Sequence, residues 1–392
     1  MKMTRIAISA YFAAMGMVFA SWASRIPDVQ QQFALSNGQL GSLLFAIPFG
    51  HAFSIVPVGI LVARYGSRIM TIVSMTLYAV ALMLVALMGS YFTLFLMLMV
   101  LGAMANAMDV AVNTQAVALQ ERYGRSIMSA LHGTWSLGGL LGGIIGATFA
   151  SAGLGLIPHF ATVLLLCLIV IAWSAQYLLP ESEVKRTDEA VEPFNIRHID
   201  AILWILGLIA FAGEFCEGVT YDWSAVYFKE VVHADVEMLR AGYIGGVAAM
   251  TLARFISDRF ITRYGALRVL IADSVLIALG FALVVCTPYL VSATLGYCLV
   301  GLGMASVVPI CYGMSGRCSS VKTSTALTFV SSLGFLGFLI SPPIIGWISQ
   351  AIGLHTTMIF GAFTGIIIYL LAKSKVISKL SPAGDTTHRE SH

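Results

Sequence analysis

The chain has 392 residues, of which 58% are hydrophobic and only 10% charged, and its mean hydropathy is +0.89; a water-soluble domain needs far more charge to cover its surface. A net charge of +3, with no basic patch interleaved with aromatics away from helix ends, excludes nucleic-acid binding as the main role. The six Cys lie almost all in apolar segments, with no Cys-x-x-Cys or metal-ligand spacing, so the composition describes an all-α integral membrane protein.

Apolar stretches near or above the roughly 20 residues that cross about 30 Å of hydrocarbon recur from end to end. They predict twelve helices near 6–26, 38–63, 69–89, 91–119, 126–152, 156–179, 201–228, 240–262, 267–287, 289–314, 324–350 and 354–373. The first follows Lys2 and Arg5 without a small-residue cleavage site, which reads as a retained helix and not a removed signal. Connections alternate in character. Those at 64–68, 120–125, 180–200, 263–268 and 315–323 are basic or mixed, whereas 89–91, 152–156, 287–289 and 350–354 hold no Lys or Arg. Of the 22 Lys and Arg, only Arg25, Lys229 and Arg240 fall on the second side, so the positive-inside rule places both termini and the long loop in the cytoplasm.

Residues 181–200 form the only long polar insertion, and they divide a first six-helix bundle, 1–180, from a second, 201–375. The tail at 376–392, polar from Ser381 onward, is expected to be disordered. Arg64-Tyr65-Gly66 after the second span recurs as Arg263-Tyr264-Gly265 after the eighth, 199 residues on. A parallel repeat of this kind favours a site near the membrane midplane between the halves.

Polar groups at membrane depth then single themselves out. An ionised carboxylate there costs on the order of 3 kcal/mol on insertion scales, so it should face a cavity, find a partner or carry a proton. In the fourth span, Asn106, Asp109 and Asn113 share one stripe at 100° per residue, while Gln115 points away. The stripe reads either as the lining of a cavity or as an interhelical hydrogen-bond cluster. In the seventh, Glu214 and Glu217 lie three apart on one face, and two carboxylates so close seldom ionise together; Tyr221 extends the face of Glu217. Asp222 and Trp223 lie nearer the outside, as an outer gate or an interfacial anchor, with Trp223 reading equally as a binding platform. The hairpin of spans four and five brings His132 level with Asn113 and places Trp135 nearby, as a proton relay or hydrogen-bonding group and a stacking face. Gly138, Gly142 and Gly146 read as a close helix-packing stripe. Arg25 ends the first span, either reaching the headgroups or pairing with an outer carboxylate or anionic solute. The acids have no repeat counterparts, since Asp109 corresponds to Val308 and the two Glu to Met15 and Val18. No Walker loop, HExxH, GxSxG or metal cluster is present, so neither an enzyme, a cofactor nor a metal is expected.

Six plus six spans, cytoplasmic termini, a central polar loop and the repeated Arg-Tyr-Gly turn together resemble the major facilitator superfamily. Its cytoplasmic gate motif, Gly-x-x-x-Asp-Arg-x-Gly-x-Arg, is matched by Gly59, Arg64, Gly66 and Arg68, with Ala63 where the Asp would stand; Asp258, Arg259, Arg263 and Gly265 give a stretched second copy. The stretches SWASRIP, DVAVNTQA, HGTWSLGGLLGG and EGVTYDWSAVYF are similar to the branch holding the YbjJ-type inner-membrane proteins and the rhizopine permeases. The spacing of Asp109 and Asn113 also resembles a fucose-permease pattern. The resemblance implies proton-coupled transport of a small polar solute, sugar- or cyclitol-like, by a monomer in the bacterial inner membrane, with Asp109, Glu217 and Glu214 coupling protons. Membrane lipid, protons and the solute are then the only partners expected. Proton-driven export of drugs or metabolites, and a non-transporting sensor, stay open at this point.

Overall fold

The computed structural model describes residues 1–123, 127–181, 199–315, 323–374 and 377. Most of the expected linker and tail lies outside these residues. The described residues contain helices and no strand.

The first rod begins earlier and runs longer than the sequence predicts. Helix α1 (Lys2–Ala23) breaks at Ser24 and Arg25 and continues as α2 (Ile26–Gln32). Pro27 sits in the first turn of α2, where a missing N–H costs nothing. A capping box between Ser36 and Gln39 then opens α3 (Asn37–Leu44), and α4 (Ala46–Tyr65) follows after Phe45. Next come α5 (Ser67–Val85), α6 (Tyr91–Tyr123), α7 (Met128–Ser151) and α8 (Leu156–Ser174). Beyond the linker stand α9 (Ala201–Glu230), α10 (Ala241–Tyr264), α11 (Ala266–Cys286), α12 (Leu290–Met304) and α13 (Val307–Ser315). The chain closes with α14 (Thr323–Ile352), α15 (Leu354–Thr357) and α16 (Ile359–Ala372).

Among the described residues, 10 helical segments are long and apolar enough to cross a membrane. Helices α7 and α10, 24 residues each, are not among them, although at about 1.5 Å per residue both have spanning length. Helix α10 carries Arg254, Asp258 and Arg259, which lower its hydropathy.

The repeat seen in one tripeptide extends through the packing. Helix α1 packs on α7, α4 and α5 on α6, and α5 on α8; α9 packs on α14, α10 and α11 on α12, and α11 on α16. Gly66 and Gly265 turn the chain with φ of +82° and +84°, a region L side chains rarely adopt. A Cβ on Gly102 would stand 1.9 Å from the Ile47 carbonyl oxygen, and one on Gly301 would stand 2.1 Å from that of Gly246; both residues of the second pair lie 199 positions after the first. Gly102→Leu and Gly301→Leu are therefore each expected to lower stability by about 1–3 kcal/mol or more, since the obstructing atom is backbone. Melting curves of purified protein read this directly. Gly59→Ala, with nothing within 4 Å of the added carbon, should melt like the wild type.

Between the halves, α3 packs on α14, α7 on α10 and α2 on α9. At the first crossing, a Cβ on Gly41 would meet the Pro342 carbonyl oxygen at 2.5 Å, and one on Gly346 that of Asn37 at 2.5 Å. This crossing belongs to the far face, opposite the Arg-Tyr-Gly turns; the face with the turns is the basic face.

Candidate functional site

A cavity of about 570 Å³ lies between the halves. Helices α1, α4, α6 and α7 give it Phe19, His51, Asp109, His132 and Trp135; α9, α10 and α13 give it Glu214, Glu217, Arg254, Asp258 and Tyr312. Met128, in the first turn of α7, and the exposed Asp258 near the end of α10 place its mouth toward the basic face.

Three of the acids predicted from sequence thus meet in one space. Asn113 Nδ2 donates to Asp109 Oδ1 and to its backbone oxygen, both at 2.9 Å, so Asn113 orients the acid and is not itself among the lining residues. Arg254 Nη2 lies 3.7 Å from Glu217 Oε1, while its Nη1 donates to Ser136 Oγ on α7 at 3.0 Å. One guanidinium therefore links a carboxylate of the second half to a hydroxyl of the first. Phe12 packs on His132 at 5.1 Å, and Phe19 on Trp135 at 5.9 Å, which fixes the planes of the two candidate ligand-facing rings.

The other predicted residues stand elsewhere. Asn106, 3% exposed, donates to Ser54 Oγ at 2.9 Å and ties α6 to α4. Tyr221 packs edge-on against Phe19 at 5.3 Å, one layer behind the cavity wall. Asp222 and Trp223 are 8% and 0% exposed, so Trp223 is enclosed and does not anchor to an interface. Arg25 does not reach the headgroups either: it is 2% exposed and donates to the Leu154 carbonyl oxygen at 2.7 Å. Gln115 bridges neighbours, donating to Ser67 Oγ at 2.8 Å and accepting from Leu179 N–H at 2.8 Å. The glycine stripe is packing, as a Cβ on Gly138 would meet the Ala13 carbonyl oxygen at 1.9 Å.

The predicted gate residues are unlatched. Arg64 and Arg263 stack over Tyr65 and Tyr264, each 5.4 Å from the ring centre, and Arg68 donates to the Ala175 carbonyl oxygen at 3.3 Å. Gly59 and Arg259 are exposed, and among the described residues no ion pair joins Arg64 or Arg68 to Asp258. At Gly66, the Glu181 carboxylate accepts from Ser67 N–H at 2.9 Å, supplying an acid at the first turn of α5, near the motif position Ala63 leaves without one.

Closure lies on the far face. Arg240 pairs with Asp28, and its Nε donates to the Ser24 carbonyl oxygen at 2.6 Å. Glu230 accepts from Gln30 at 2.9 Å and from Asn37 at 3.0 Å, and Gln350 accepts from Gly38 N–H at 3.0 Å. Every one of these bonds crosses from one half to the other.

Arg254, His51 and Tyr312 also line the cavity and are not among the residues the sequence predicts for it. The first had a signal, a charge in the middle of the eighth span, which is rare unless it faces a cavity or partner. His51 and Tyr312 are single polar groups in apolar helices, and nothing in their spacing marks them.

Residues 7–299 match the Major Facilitator Superfamily. Over 368 residues the chain is 31% identical to the membrane protein MosC of Rhizobium meliloti, covering 94% of this chain and 89% of that protein. It is 29% identical to an uncharacterized MFS-type transporter of Yersinia pestis, with 96% and 95% covered. In fold it is similar to a variant of the nucleoside transporter NupG, with a TM-score of 0.77, 13% identity and 94% and 98% coverage. It is also similar to a bacterial homolog of the human lysosomal transporter Spinster in an inward-facing and occupied conformation, with a TM-score of 0.69, 14% identity and 94% and 95% coverage. A helical bundle with a polar cavity between two similarly packed halves, matched over this much of its length, makes the chain a membrane transporter of the Major Facilitator Superfamily and not an enzyme.

Proposed function

We propose that the protein couples proton movement to the transport of a small polar solute by alternating access. The observation that carries this reading is the meeting of Asp109, Glu214, Glu217 and Arg254 in one cavity closed toward the far face. Carboxylates in a membrane interior are costly unless paired or protonated, and a proton taken from one side and released to the other removes that cost during the return of the carrier. Asp109 and Glu217, with Glu214 beside the latter, are the coupling groups in this reading.

The solute is sugar- or cyclitol-like. His51, His132 and Tyr312 supply hydrogen-bonding groups, and Trp135 supplies a face on which a ring can stack. The fold neighbour NupG is a nucleoside transporter by name. Counting α7 and α10 as spans gives twelve, six in each of the halves 1–180 and 201–375. With the basic face in the cytoplasm of a bacterial inner membrane, the conformer is inward-open, and one chain suffices to build the cavity.

The test is uptake into proteoliposomes, using solutes chosen by a thermal-shift screen of sugars, cyclitols and sugar acids. Accumulation should follow an imposed pH gradient and collapse on addition of a protonophore. Accumulation indifferent to both would exclude proton coupling.

A further inference from the structure

The two arms of the hairpin that turns at Gly265 stand apart. Helices α10 and α11 each pack on α12 far more than on one another, and the space left between them is a groove of about 560 Å³. Ile256, Phe260 and Tyr264 of α10 form one side, Ala272 and Leu276 of α11 the other, and Leu302 of α12 stands behind. The rim is open, since Ile256, Phe260, Tyr264 and Ala272 are all exposed. The groove runs along α10 from Tyr264, beside the turn, to Ala253. At 1.5 Å per residue that is about 16 Å, close to half of the roughly 30 Å of hydrocarbon in a bilayer, so its depth is that of one leaflet.

Charge sits at one end only. Arg268 lines the groove in the first turn of α11, and Arg263 stacks over the Tyr264 ring at the rim, 5.4 Å from the ring centre. Residues 259–268 hold three Arg and no acid, and Asp258, just before them, lines the central cavity. Deeper in, the polar groups are turned onto their neighbours. The Ser257 hydroxyl donates to the Arg254 carbonyl oxygen at 3.1 Å, and the Ser306 hydroxyl donates to the carboxylate of Asp273, both residues being buried. Water would find few partners along this depth. A groove of one leaflet's depth, apolar within and cationic at the headgroup end, fits an amphiphile with an acyl chain and an anionic head.

We propose that this groove binds one anionic phospholipid from the leaflet on the basic face, with an acyl chain between α10 and α11 and the phosphate beside Arg263 and Arg268. The site is distinct from the central cavity but backs onto it, since Ser257 and Ala305 line both. Ala305 lies in the break between α12 and α13, and α13 gives the cavity Pro309 and Tyr312, so the lipid braces that wall from behind. The proposal does not depend on proton coupling or on the identity of the solute.

The experiment uses lipid-depleted, full-length protein in a neutral detergent, with dioleoyl phosphatidylglycerol, dioleoyl phosphatidylcholine or sodium oleate added at equal mole fraction. The expected result is a saturable rise in the melting midpoint of about 2 °C or more with phosphatidylglycerol, the response of a ligand that binds only the folded state, and a rise of about half that or less with phosphatidylcholine. Ala272→Phe puts a ring into the groove from an exposed position and should abolish the response to phosphatidylglycerol. Native mass spectra should show one phosphatidylglycerol retained per wild-type chain and none on that variant. Should Ala272→Phe not fold, Arg268→Gln, also at an exposed position, should reduce the response to phosphatidylglycerol to that of phosphatidylcholine. Equal responses of the wild type to the two phospholipids would overturn the proposal, as would a response unchanged in the variants, which belongs to the general lipid shell. A response to oleate as large as that to phosphatidylglycerol, and lost in Ala272→Phe, would overturn it in favour of a free fatty acid.

Discussion

Glu217→Gln is expected to reduce accumulation of solute against its gradient by about tenfold or more, a factor worth about 1.4 kcal/mol, while exchange of solute across the membrane continues. The carboxylate has 13% side-chain exposure and lies 3.7 Å from Arg254 Nη2. An amide keeps its shape and hydrogen-bonding capacity but can neither take up nor release a proton, so the carrier can still alternate when loaded but cannot draw on the pH gradient. Counterflow and gradient-driven uptake, measured on the same vesicles, separate the two abilities. Asp109→Asn belongs beside it, because Asp109 is held by Asn113 and not by a cation. Loss of accumulation in that variant alone would transfer the coupling role to Asp109, and wild-type accumulation in both would remove it from both.

Much of this site could be read from the sequence because a membrane makes polar groups conspicuous. Asp109, Glu214, Glu217, His132 and Trp135 stood out against apolar neighbours, and all five line the cavity. Helical periodicity was a weaker guide. It put Asn106 on the stripe of Asp109, yet the boundary between the cavity face of α6 and the face packed on α4 runs through that stripe, and Asn106 falls on the α4 side, bonded to Ser54. Along α9 the same limit applies. Tyr221 shares the face of Glu217 but lies behind Phe19 of α1, a contact between distant parts of the chain that no local spacing reveals. The fate of Arg25 was set partly by such contacts: its partner Asp28 lies only three residues on, but the competing cation Arg240 arrives only when the two halves close.

Closure also determines the role of Arg254, which yields the second large effect. Its side chain, 27% exposed, bonds to Glu217 in its own half and to Ser136 in the other. Arg254→Gln is expected to lower both exchange and accumulation by about tenfold or more, because Glu217 then has no cation to hold its charged form and the hydroxyl of Ser136 loses its partner across the cavity. If the arginine acts through the carboxylate, removing both charges should restore part of what removing one destroys. The double variant Arg254→Gln with Glu217→Gln is therefore expected to recover exchange toward the level of Glu217→Gln alone, while accumulation stays lost. Effects of the two substitutions that simply add would mean that the groups act independently, and Arg254 would then serve through Ser136, holding α10 against α7 without taking part in proton movement.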